Sequence, residues 1–373
     1  MRSVLVVRLS ARGDVMFATP IVRALRRTWP EARITWVVEP AASDVVRYHP
    51  ELDEVVVWDR PSWKRMWRER RWGDLRRAFR DFRAELRARR FDLALDMQGL
   101  LRSGLVSYFS GAPVRAVLGP QEGNRLFTTH RYPTGNAIEE MSAEPRLMAE
   151  WLGLDTSDWS LDLHLAPGAR EGARAHLTDA GIDGPFVLLV PFTTRPWKHW
   201  VERRWAPLGA RLGALSGLPV VLVGGPADRE AADRILHRAD GGLVDLVGKT
   251  SLTEAMAVVA EAGLVVGVDT ALTHAAHGFE RPPICVFGPI GYSEPPTEMA
   301  RMLRHDELPC VPCRGAGRPI VCGGAYTCMD LISIDEIAER AAELLRAYPP
   351  EAPSRADASS SAGAARSTAP DTT

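Results

Sequence analysis

The feature that most constrains the fold of this chain is an alternation of short apolar runs with helical patterns, which occurs in two blocks. In the first block, the apolar run at residues 3–9 is followed by a helical pattern that reaches Trp29, and then by a second run at 34–38. This order predicts a strand, a helix and a parallel strand. Further strands of the same sheet are predicted at 54–58, 93–96 and 116–118.

The second block starts after Leu165, where Ala, Pro, Gly and Ala indicate a linker. Five β-rich runs then alternate with helical patterns, at residues 186–190, 220–223, 244–247, 264–268 and 284–287, and a last helix is predicted at 334–347. We therefore expect an N-terminal domain at 1–167, a C-terminal domain at 168–348, and a disordered tail at 349–373. We also expect that the last helix could pack back on the first domain.

Two parallel α/β domains bring the loops at the carboxyl ends of their strands to face each other across a cleft. Ligands of such folds bind in this cleft. The fold class predicted from the sequence is therefore α/β, with two parallel-sheet domains and a site between them.

Composition narrows the class of protein further. With 373 residues, 46% of them hydrophobic, the chain can form two cores. A net charge of −1 excludes the overall positive field of a nucleic-acid binder. Arg8 interrupts the first apolar run, so no signal peptide is expected, and no run of about 18 apolar residues predicts a membrane span. We expect a cytoplasmic protein, either soluble or peripheral on a membrane surface.

One segment departs from this neutral balance. Residues 60–90 contain thirteen Lys or Arg against four acidic residues, interleaved with Trp and Phe. Leu75, Phe79, Phe82 and Leu86 recur at helical spacing, which favours an amphipathic helix with a solvated basic face. The alternative is an anion-facing role, most of all for residues 60–72, since basic and aromatic residues together suit phosphorylated glycolipid headgroups.

The first loop contains Arg12, Gly13 and Asp14, where a glycine permits a tight turn and a carboxylate follows the end of a strand. Two interpretations remain open. Asp14 either caps the helix that follows or projects into the cleft as a reactive carboxylate.

In the second domain, the loop after the run at 186–190 contains Thr193, Thr194 and Lys198. The chain uses arginine 43 times and lysine three times, at Lys64, Lys198 and Lys249. A lysine kept against this preference indicates a position where a compact ammonium is needed, such as a phosphate contact, although a surface lysine is the plain alternative.

Two further loops complete the pattern. A strand ends in Gly224 and Gly225, with Glu230 one turn into the next helix. Another strand runs into Asp269 and Thr270 at a helix start, which predicts a diphosphate site formed by free N–H groups and the threonine hydroxyl. We expect Asp269 to hold loop N–H groups or a ribose or sugar hydroxyl. Two interpretations of His274 stay open, because it could face the ligand or pack in the helix behind it.

These four loops, in this order, closely resemble those of glycosyltransferase family 9. Within the family the likeness is strongest to transferases that move heptose from ADP-heptose to the Kdo of the lipopolysaccharide inner core. A segment of the first domain that contains Asp96, Gln98, Gly99, Arg102 and Ser103 is similar to another signature of the family. The resemblance covers roughly residues 3–345. It implies the GT-B fold, with two Rossmann-like domains, and an inverting transfer that needs no metal or other cofactor.

The resemblance also implies roles for individual residues. Asp14 would be the general base, and the donor would be held by the C-terminal domain. The implied donor-binding residues are Thr193, Thr194, Lys198, Gly225, Glu230, Thr250, Asp269, Thr270, Ala271 and His274, with Glu230 at the ribose and Thr250 near adenine. The implied acceptor-binding residues are Gly13, Lys64, Arg65, Gln98 and Arg125. The partners would be a nucleotide sugar and a lipid-linked saccharide at the inner membrane, not a nucleic acid.

Two segments depart from the family pattern. Ala271 stands where the family commonly has glycine, so its methyl group would crowd the phosphates, and residues 138–141 lack the usual acceptor-side motif. Other nucleotide-sugar donors or glycolipid acceptors therefore stay open. A non-catalytic nucleotide-sugar-binding protein and an epimerase of the same fold are further alternatives.

Four of the five cysteines cluster near the C-terminus, at Cys310, Cys313, Cys322 and Cys328. The first pair has the spacing of zinc ligands, whereas the second pair is spaced irregularly. A structural Zn²⁺ and reduced thiols in a compact loop are both open, and disulfides are disfavoured in the cytoplasm.

Overall fold

The structure is a computed structural model that describes residues 1–119, 122–132, 144–288, 297–308, 310–311, 322 and 326–350. Of the predicted tail at 349–373, residues 351–373 lie outside these residues, as does the motif at 138–141. We call the elements up to residue 151 the N-terminal lobe and those from residue 169 the C-terminal lobe. The predicted boundary at 167/168 stays a prediction.

The N-terminal lobe is a six-stranded parallel sheet with helices on its faces, and its strand order is β3-β2-β1-β4-β5-β6. Its elements are β1 Ser3–Val7, α1 Arg12–Ala18, α2 Pro20–Thr28, β2 Arg33–Val38, α3 Ser43–Val46, β3 Glu54–Val57, α4 Arg60–Arg68, α5 Trp72–Ala88, β4 Leu93–Asp96, α6 Leu101–Ser110, β5 Val114–Leu118, β6 His130–Tyr132 and α7 Glu144–Trp151. The central strand β1 pairs in parallel with β2 and β4, and all five of its residues are buried. This burial on both faces explains its continuous apolar run.

The C-terminal lobe repeats this architecture with the order β12-β11-β10-β7-β8-β9. Its elements are α8 Ala169–Asp179, β7 Val187–Val190, α9 Trp205–Ser216, β8 Val220–Leu222, α10 Arg229–Ala239, β9 Val244–Asp245, α11 Leu252–Glu261, β10 Leu264–Val268, α12 Ala271–Gly278, β11 Pro283–Val286, β12 Arg301–Leu303, α13 Thr327–Leu331 and α14 Ile334–Ala347. The buried strands β7 and β10 are neighbours at its centre. Two parallel sheets with flanking helices confirm the predicted α/β fold class.

The two lobes contact each other through helices. α1 packs against α12, and α3 packs against α11. One cluster of buried apolar side chains runs through both lobes and includes Val4 and Val22 of the first and Val258 and Ala275 of the second. The catalytic helix predicted in one lobe is therefore packed directly on the predicted donor-binding helix of the other.

The last helix, α14, packs on α9 and on β10, β11 and β12 of the C-terminal lobe. Ile337, Ala341 and Leu344 form the buried face of the helix that joins the core of this lobe. Among the described residues, no helix combines the length and the apolar character that crossing a bilayer requires.

Candidate active site

Asp14 lies in the first turn of α1, where it caps the helix and stays partly exposed. The backbone N–H of Ala11 donates to its Oδ2 at 3.0 Å, so the carboxylate does cap the helix. Arg8 Nη2 lies 3.4 Å from the same oxygen, and the side chain keeps 36% of its exposure. Because both contacts involve Oδ2, neither uses the proton-accepting capacity of Oδ1.

Arg8 is a buried cation that holds this carboxylate. Its Nη1 donates to the carbonyl of Met97, while Nη2 faces Asp14. Glu144, at the start of α7, is a second carboxylate nearby: burial raises its pKa, the charge of Arg8 opposes that rise and the charge of Asp14 adds to it. Sequence reasoning treated Arg8 only as a break in an apolar run. A charged residue directly after a fully buried strand is a signal in the sequence that could have identified Arg8 as a site residue.

The loops after β1 and β4 are tied together behind Asp14. Gln98 Oε1 accepts from the N–H of Leu9 at 2.9 Å, and Gln98 Nε2 donates to Ser10 Oγ at 3.4 Å. Asp96 is fully buried, accepts from the N–H groups of Gln98 and Gly99 at 3.0 Å each, and has a pKa raised by burial. Gln98, predicted on the acceptor side, thus lies beside the loop between β1 and α1 and is hydrogen-bonded to it.

Cations surround the same edge of the N-terminal lobe. Arg60 forms a two-pronged pair with the buried Glu39, at 2.6 Å and 3.2 Å, and Arg102 lies 3.9 Å from the same carboxylate. Lys64 and Arg65 follow on α4 with exposed side chains. The grouping of Arg60 and Arg102 around Glu39 was not predicted, because the three residues come from segments that lie far apart in the sequence.

On the C-terminal lobe, Asp269 joins the predicted lysine and histidine into one cluster. Lys198 Nζ lies 2.5 Å from Asp269 Oδ2, and His274 Nε2 lies 2.9 Å from Oδ1. Burial alone favours the neutral acid, but the His274 hydrogen bond and the charges of His274 and Lys198 hold the pKa of Asp269 below its ordinary value. Each carboxylate oxygen of Asp269 thus contacts one of these side chains, and its role toward loop N–H groups or a hydroxyl of the ligand stays a prediction. His274 is 3% exposed.

The predicted diphosphate loops lie at adjacent strand ends. Thr193 and Thr194 follow β7, and Thr270 is the N-cap residue of α12, which follows the neighbouring strand β10. The Thr270 hydroxyl makes no capping hydrogen bond to the helix. First-turn N–H groups have no partner within a helix, so this end of α12 can receive an anion. Ala271 is the first residue of the helix and is partly exposed.

The remaining predicted donor residues lie beyond β8 and β9, farther along the sheet. The Gly225 N–H donates to Asp228 Oδ2 at 2.8 Å, which closes the turn into α10. Glu230 is 94% exposed in its side chain and pairs with Arg234 at 2.9 Å. The Thr250 hydroxyl is buried without a hydrogen-bond partner among the described residues, which marks it as available to a ligand.

The two halves of the site meet at one interlobe contact. The ring of Phe17 on α1 lies 4.8 Å from the ring of His274 on α12, between centroids. A Cβ added at Gly13 would lie 3.4 Å from His274 Cδ2, an ordinary van der Waals distance, so the start of α1 lies close to the other lobe. Phe17 therefore connects the Asp14 helix to the Asp269–Lys198 pair, a link that no sequence motif indicated.

Among the described residues, one group has the composition of a metal site: His49, Asp162 and His164, whose ligand atoms lie within 4.8 Å of one another. Two contacts argue against ligation. His49 Nδ1 faces the N–H of Glu51 at 3.2 Å and its Nε2 lies 3.1 Å from Asp162, so both ring nitrogens already have a protein partner. Arg23 Nη2 already lies 3.0 Å from Asp162. This group is an ion-pair cluster.

The cysteine prediction is only partly within the described residues. Cys310, Cys322 and Cys328 are described, whereas Cys313 lies outside them. Cys322 Sγ accepts the N–H of Tyr326 at 3.3 Å, and Cys328 is buried at the start of α13. The zinc site stays a prediction.

Comparison with known proteins places this geometry in a family. The model of glycosyltransferase family 9 (heptosyltransferase) matches residues 79–321, more than half of the chain. Lipopolysaccharide heptosyltransferase 1 of Pseudomonas aeruginosa is 29% identical over 321 residues, which cover 83% of this chain and 85% of that protein. The protein of the same description from Escherichia coli K12 is 29% identical over 293 residues, covering 77% and 88%.

Solved structures agree with the sequence matches. A glycosyltransferase family 9 structure from Veillonella parvula has a TM-score of 0.79 at 21% identity and covers 93% of this chain and 98% of its own, which shows the shared fold. The structure of E. coli heptosyltransferase WaaC with ADP-2-deoxy-2-fluoro heptose has a TM-score of 0.67 at 25% identity, with 91% and 99% coverage.

Proposed function

The chain belongs to glycosyltransferase family 9 and is a glycosyltransferase, and on that premise we propose that it transfers a heptose from ADP-heptose to the Kdo of the lipopolysaccharide inner core. Two relatives described as lipopolysaccharide heptosyltransferase 1 and a similar structure that holds an ADP-heptose analogue support this donor and acceptor. The proposal includes a cytoplasmic location with contact to the inner membrane, where a lipid-linked acceptor would be found.

The observation that carries the proposal is the contact between α1 and α12. α1 presents the carboxylate of Asp14, and α12 begins at the anion-receptive Thr270, with Lys198 held beside it by Asp269. A base and a pyrophosphate site on two helices in direct contact are what a displacement between an acceptor hydroxyl and a nucleotide sugar requires.

The proposed reaction is a single inverting displacement. Asp14 takes the proton of the acceptor hydroxyl while that oxygen forms a bond to the anomeric carbon of the heptose. The bond from that carbon to the diphosphate oxygen breaks, and its electron pair leaves with ADP. Lys198 and the N–H groups at the start of α12 stabilise the charge that grows on the leaving diphosphate, so no metal cofactor is included.

The other predicted residues take places around this centre. Thr193 and Thr194 bind the diphosphate together with Lys198, Glu230 binds the ribose, and the buried hydroxyl of Thr250 lies near the adenine. On the acceptor side, the cations Lys64, Arg65 and Arg125 are exposed and meet the anionic saccharide.

Replacing Asp14 tests the assignment of the base. Asp14→Asn keeps an oxygen that can accept the Ala11 N–H, so α1 remains capped while the proton acceptor is lost. We expect transfer to truncated lipopolysaccharide ending in Kdo to fall by about 10³-fold or more. The affinity for ADP, measured by calorimetry, should stay within about twofold, because Asp14 lies on the other lobe.

Asp179→Asn, which removes an exposed carboxylate of α8, is the matched control and should transfer at the wild-type rate. Normal turnover of Asp14→Asn would remove Asp14 from the mechanism. Turnover with a different nucleotide sugar, and none with ADP-heptose, would keep the mechanism but change the donor.

A further inference from the structure

The charge of this protein is divided unevenly between one segment and the rest. Residues 60–90 carry thirteen basic and four acidic side chains, which leaves 33 basic and 43 acidic residues elsewhere. A segment of net charge +9 is thus attached to a remainder of −10. Such an asymmetry orients a molecule toward a negatively charged surface with the basic segment foremost.

Most arginines of α5 have no acidic partner among the residues that the structure describes. Phe82 and Leu86 are the buried residues of this helix, and they fix it to the lobe. Arg76, Arg83 and Arg87 are exposed and form no ion pair with any residue that the structure describes. Arg80 pairs only with its exposed neighbour Asp81, at 3.0 Å, a contact of little energetic value.

These arginines surround an apolar hollow. A cavity of about 510 Å³ on the outer side of α5 is lined by Leu75, Arg76, Phe79, Arg80, Arg83 and Arg87. Arginine stems can cover apolar surface while their guanidinium groups reach outward to water or phosphate. The cavity therefore offers an apolar floor with a cationic rim.

Exposed aromatic side chains extend this surface on both sides. At the corner between α4 and α5, Trp67 and Trp72 are 63% and 46% exposed, and their ring centroids lie 4.7 Å apart. Toward α6, Phe79 contacts Phe109 at 4.4 Å, next to the exposed Tyr108. Large apolar side chains left exposed together mark an interaction surface, and Trp and Tyr are the residues that favour the boundary between lipid and water.

We propose that this basic–aromatic face, formed by Trp67, Trp72, Arg76, Phe79, Arg80, Arg83, Arg87 and Tyr108, docks the protein on an anionic lipid bilayer. The aromatic rings lie at the level of the headgroups, and the arginines contact lipid phosphates. The inference rests on the proposed function in one respect, that a lipid-linked acceptor is presented at such a surface. Since α4 begins at Arg60, which pairs with Glu39 beside the cleft, the docked face leads directly to the acceptor side.

Vesicle binding of the full-length protein tests the proposal without donor or acceptor. We expect sedimentation with vesicles of phosphatidylethanolamine and phosphatidylglycerol, little with phosphatidylcholine, and a loss of binding as salt is raised. The variant Arg76→Gln/Arg83→Gln/Arg87→Gln should bind on the order of 100-fold more weakly, at about fivefold for each arginine. Trp67→Ser/Trp72→Ser should also weaken binding.

The matched control is Arg170→Gln/Arg211→Gln/Arg346→Gln, which removes three exposed arginines of the C-terminal lobe and should bind vesicles like the wild type. Both triple variants should transfer normally to a delipidated, water-soluble acceptor, which separates this test from the proposed function. Equal vesicle binding by the two triple variants would overturn the proposal. So would self-association without lipid that only the α5 variant abolishes, since the face would then bind a second copy.

Discussion

At the scale of single residues, the site depends on charges that are held by other charges. Asp14 is held by Arg8 on one lobe, and Lys198 is held by Asp269 on the other. Asp269 is only 4% exposed, so its negative charge is stabilised chiefly by Lys198 and His274. The ammonium that is proposed to meet the diphosphate is thereby fixed in position before any ligand binds.

Lys198→Ala should slow transfer by about 10²- to 10³-fold, because it removes a positive charge placed at the leaving diphosphate. Lys198→Arg should recover only part of this loss, since a planar guanidinium does not reproduce the compact ammonium beside Asp269. Steady-state kinetics with ADP-heptose as donor measure both effects.

Lys249 supplies the control, because it is also a lysine of the C-terminal lobe but donates to the carbonyl of Asp245 at 2.8 Å. Lys249→Ala should keep kcat within about twofold of the wild type. If the two lysine variants behaved alike, the role of Lys198 would be structural.

The sequence revealed part of this chemistry. Because the chain contains only three lysines, Lys198 could be predicted as a phosphate contact. The position of Asp14 directly after a strand was sufficient to predict it as a candidate base. The partners could not be found in the same way, because Arg8, Glu39 and Phe17 act through contacts between segments far apart in the chain. Their residue types are ordinary, and only the folded geometry makes them part of the site.

At the scale of elements, the important pair is α1 and α12. Each begins at the carboxyl end of the central strand pair of its sheet, and each carries one half of the proposed reaction. The Phe17–His274 contact joins them. A change in that contact should therefore move Asp14 relative to the donor, while the donor pocket itself stays intact.

Phe17→Leu tests this coupling because it keeps most of the apolar volume, and the free energy of unfolding should change by less than about 1.5 kcal/mol. We expect kcat to fall on the order of tenfold, since a small displacement of a catalytic group is costly. The ADP affinity should be nearly unchanged. Unfolding curves and kinetics on the same preparation check the three expectations, and a wild-type kcat would show that the aromatic contact is dispensable.

Strand prediction succeeded where burial shaped the sequence. The buried central strands matched their predicted runs closely, and β4 and β10 agreed to the residue. The edge strands β6 and β12 were missed, because each has three residues and none is fully buried. An edge strand that is short and partly exposed leaves no apolar run to recognise.

At the scale of the whole molecule, the connection between the lobes is anchored by the cluster around Asp162. His49 Nε2 and His164 Nε2 lie 3.1 Å and 2.8 Å from its oxygens, and its backbone N–H donates to Thr19 Oγ1 at 3.0 Å. Burial alone would raise the pKa of Asp162, but hydrogen bonds from His164 and His49 and the charges of His49 and Arg23 hold it well below the usual range. The segment that leads into the second lobe is thus fastened to the junction of α1 and α2.

Because its pKa is lower in the folded state, Asp162 stabilises the fold above the pKa of an unfolded aspartate, near pH 4. This stabilisation is lost as the pH falls further. Asp162→Asn should lower the free energy of unfolding by about 2 kcal/mol at neutral pH, since it removes the charged acceptor that His49, His164 and Arg23 share, while Arg23 keeps its pair with Asp158 at 2.5 Å. Thermal unfolding measured from about pH 7 to about pH 3 should show that the variant loses less stability on acidification than the wild type does. Asp179→Asn should leave the curve unchanged, and a stable Asp162→Asn would exclude the anchoring role.

The shared apolar cluster limits how hybrid enzymes can be assembled from relatives of this protein. A crossover in the connecting segment, at residues 155–165, exchanges whole halves but cuts through the seam formed by Gly13, Phe17 and His274. If the two parent enzymes differ at these three positions, each half of the chimera would fold, but the two halves would pack poorly against each other. Such recombinants need the seam residues to be inherited as a set, whatever sugar specificity the exchanged half brings.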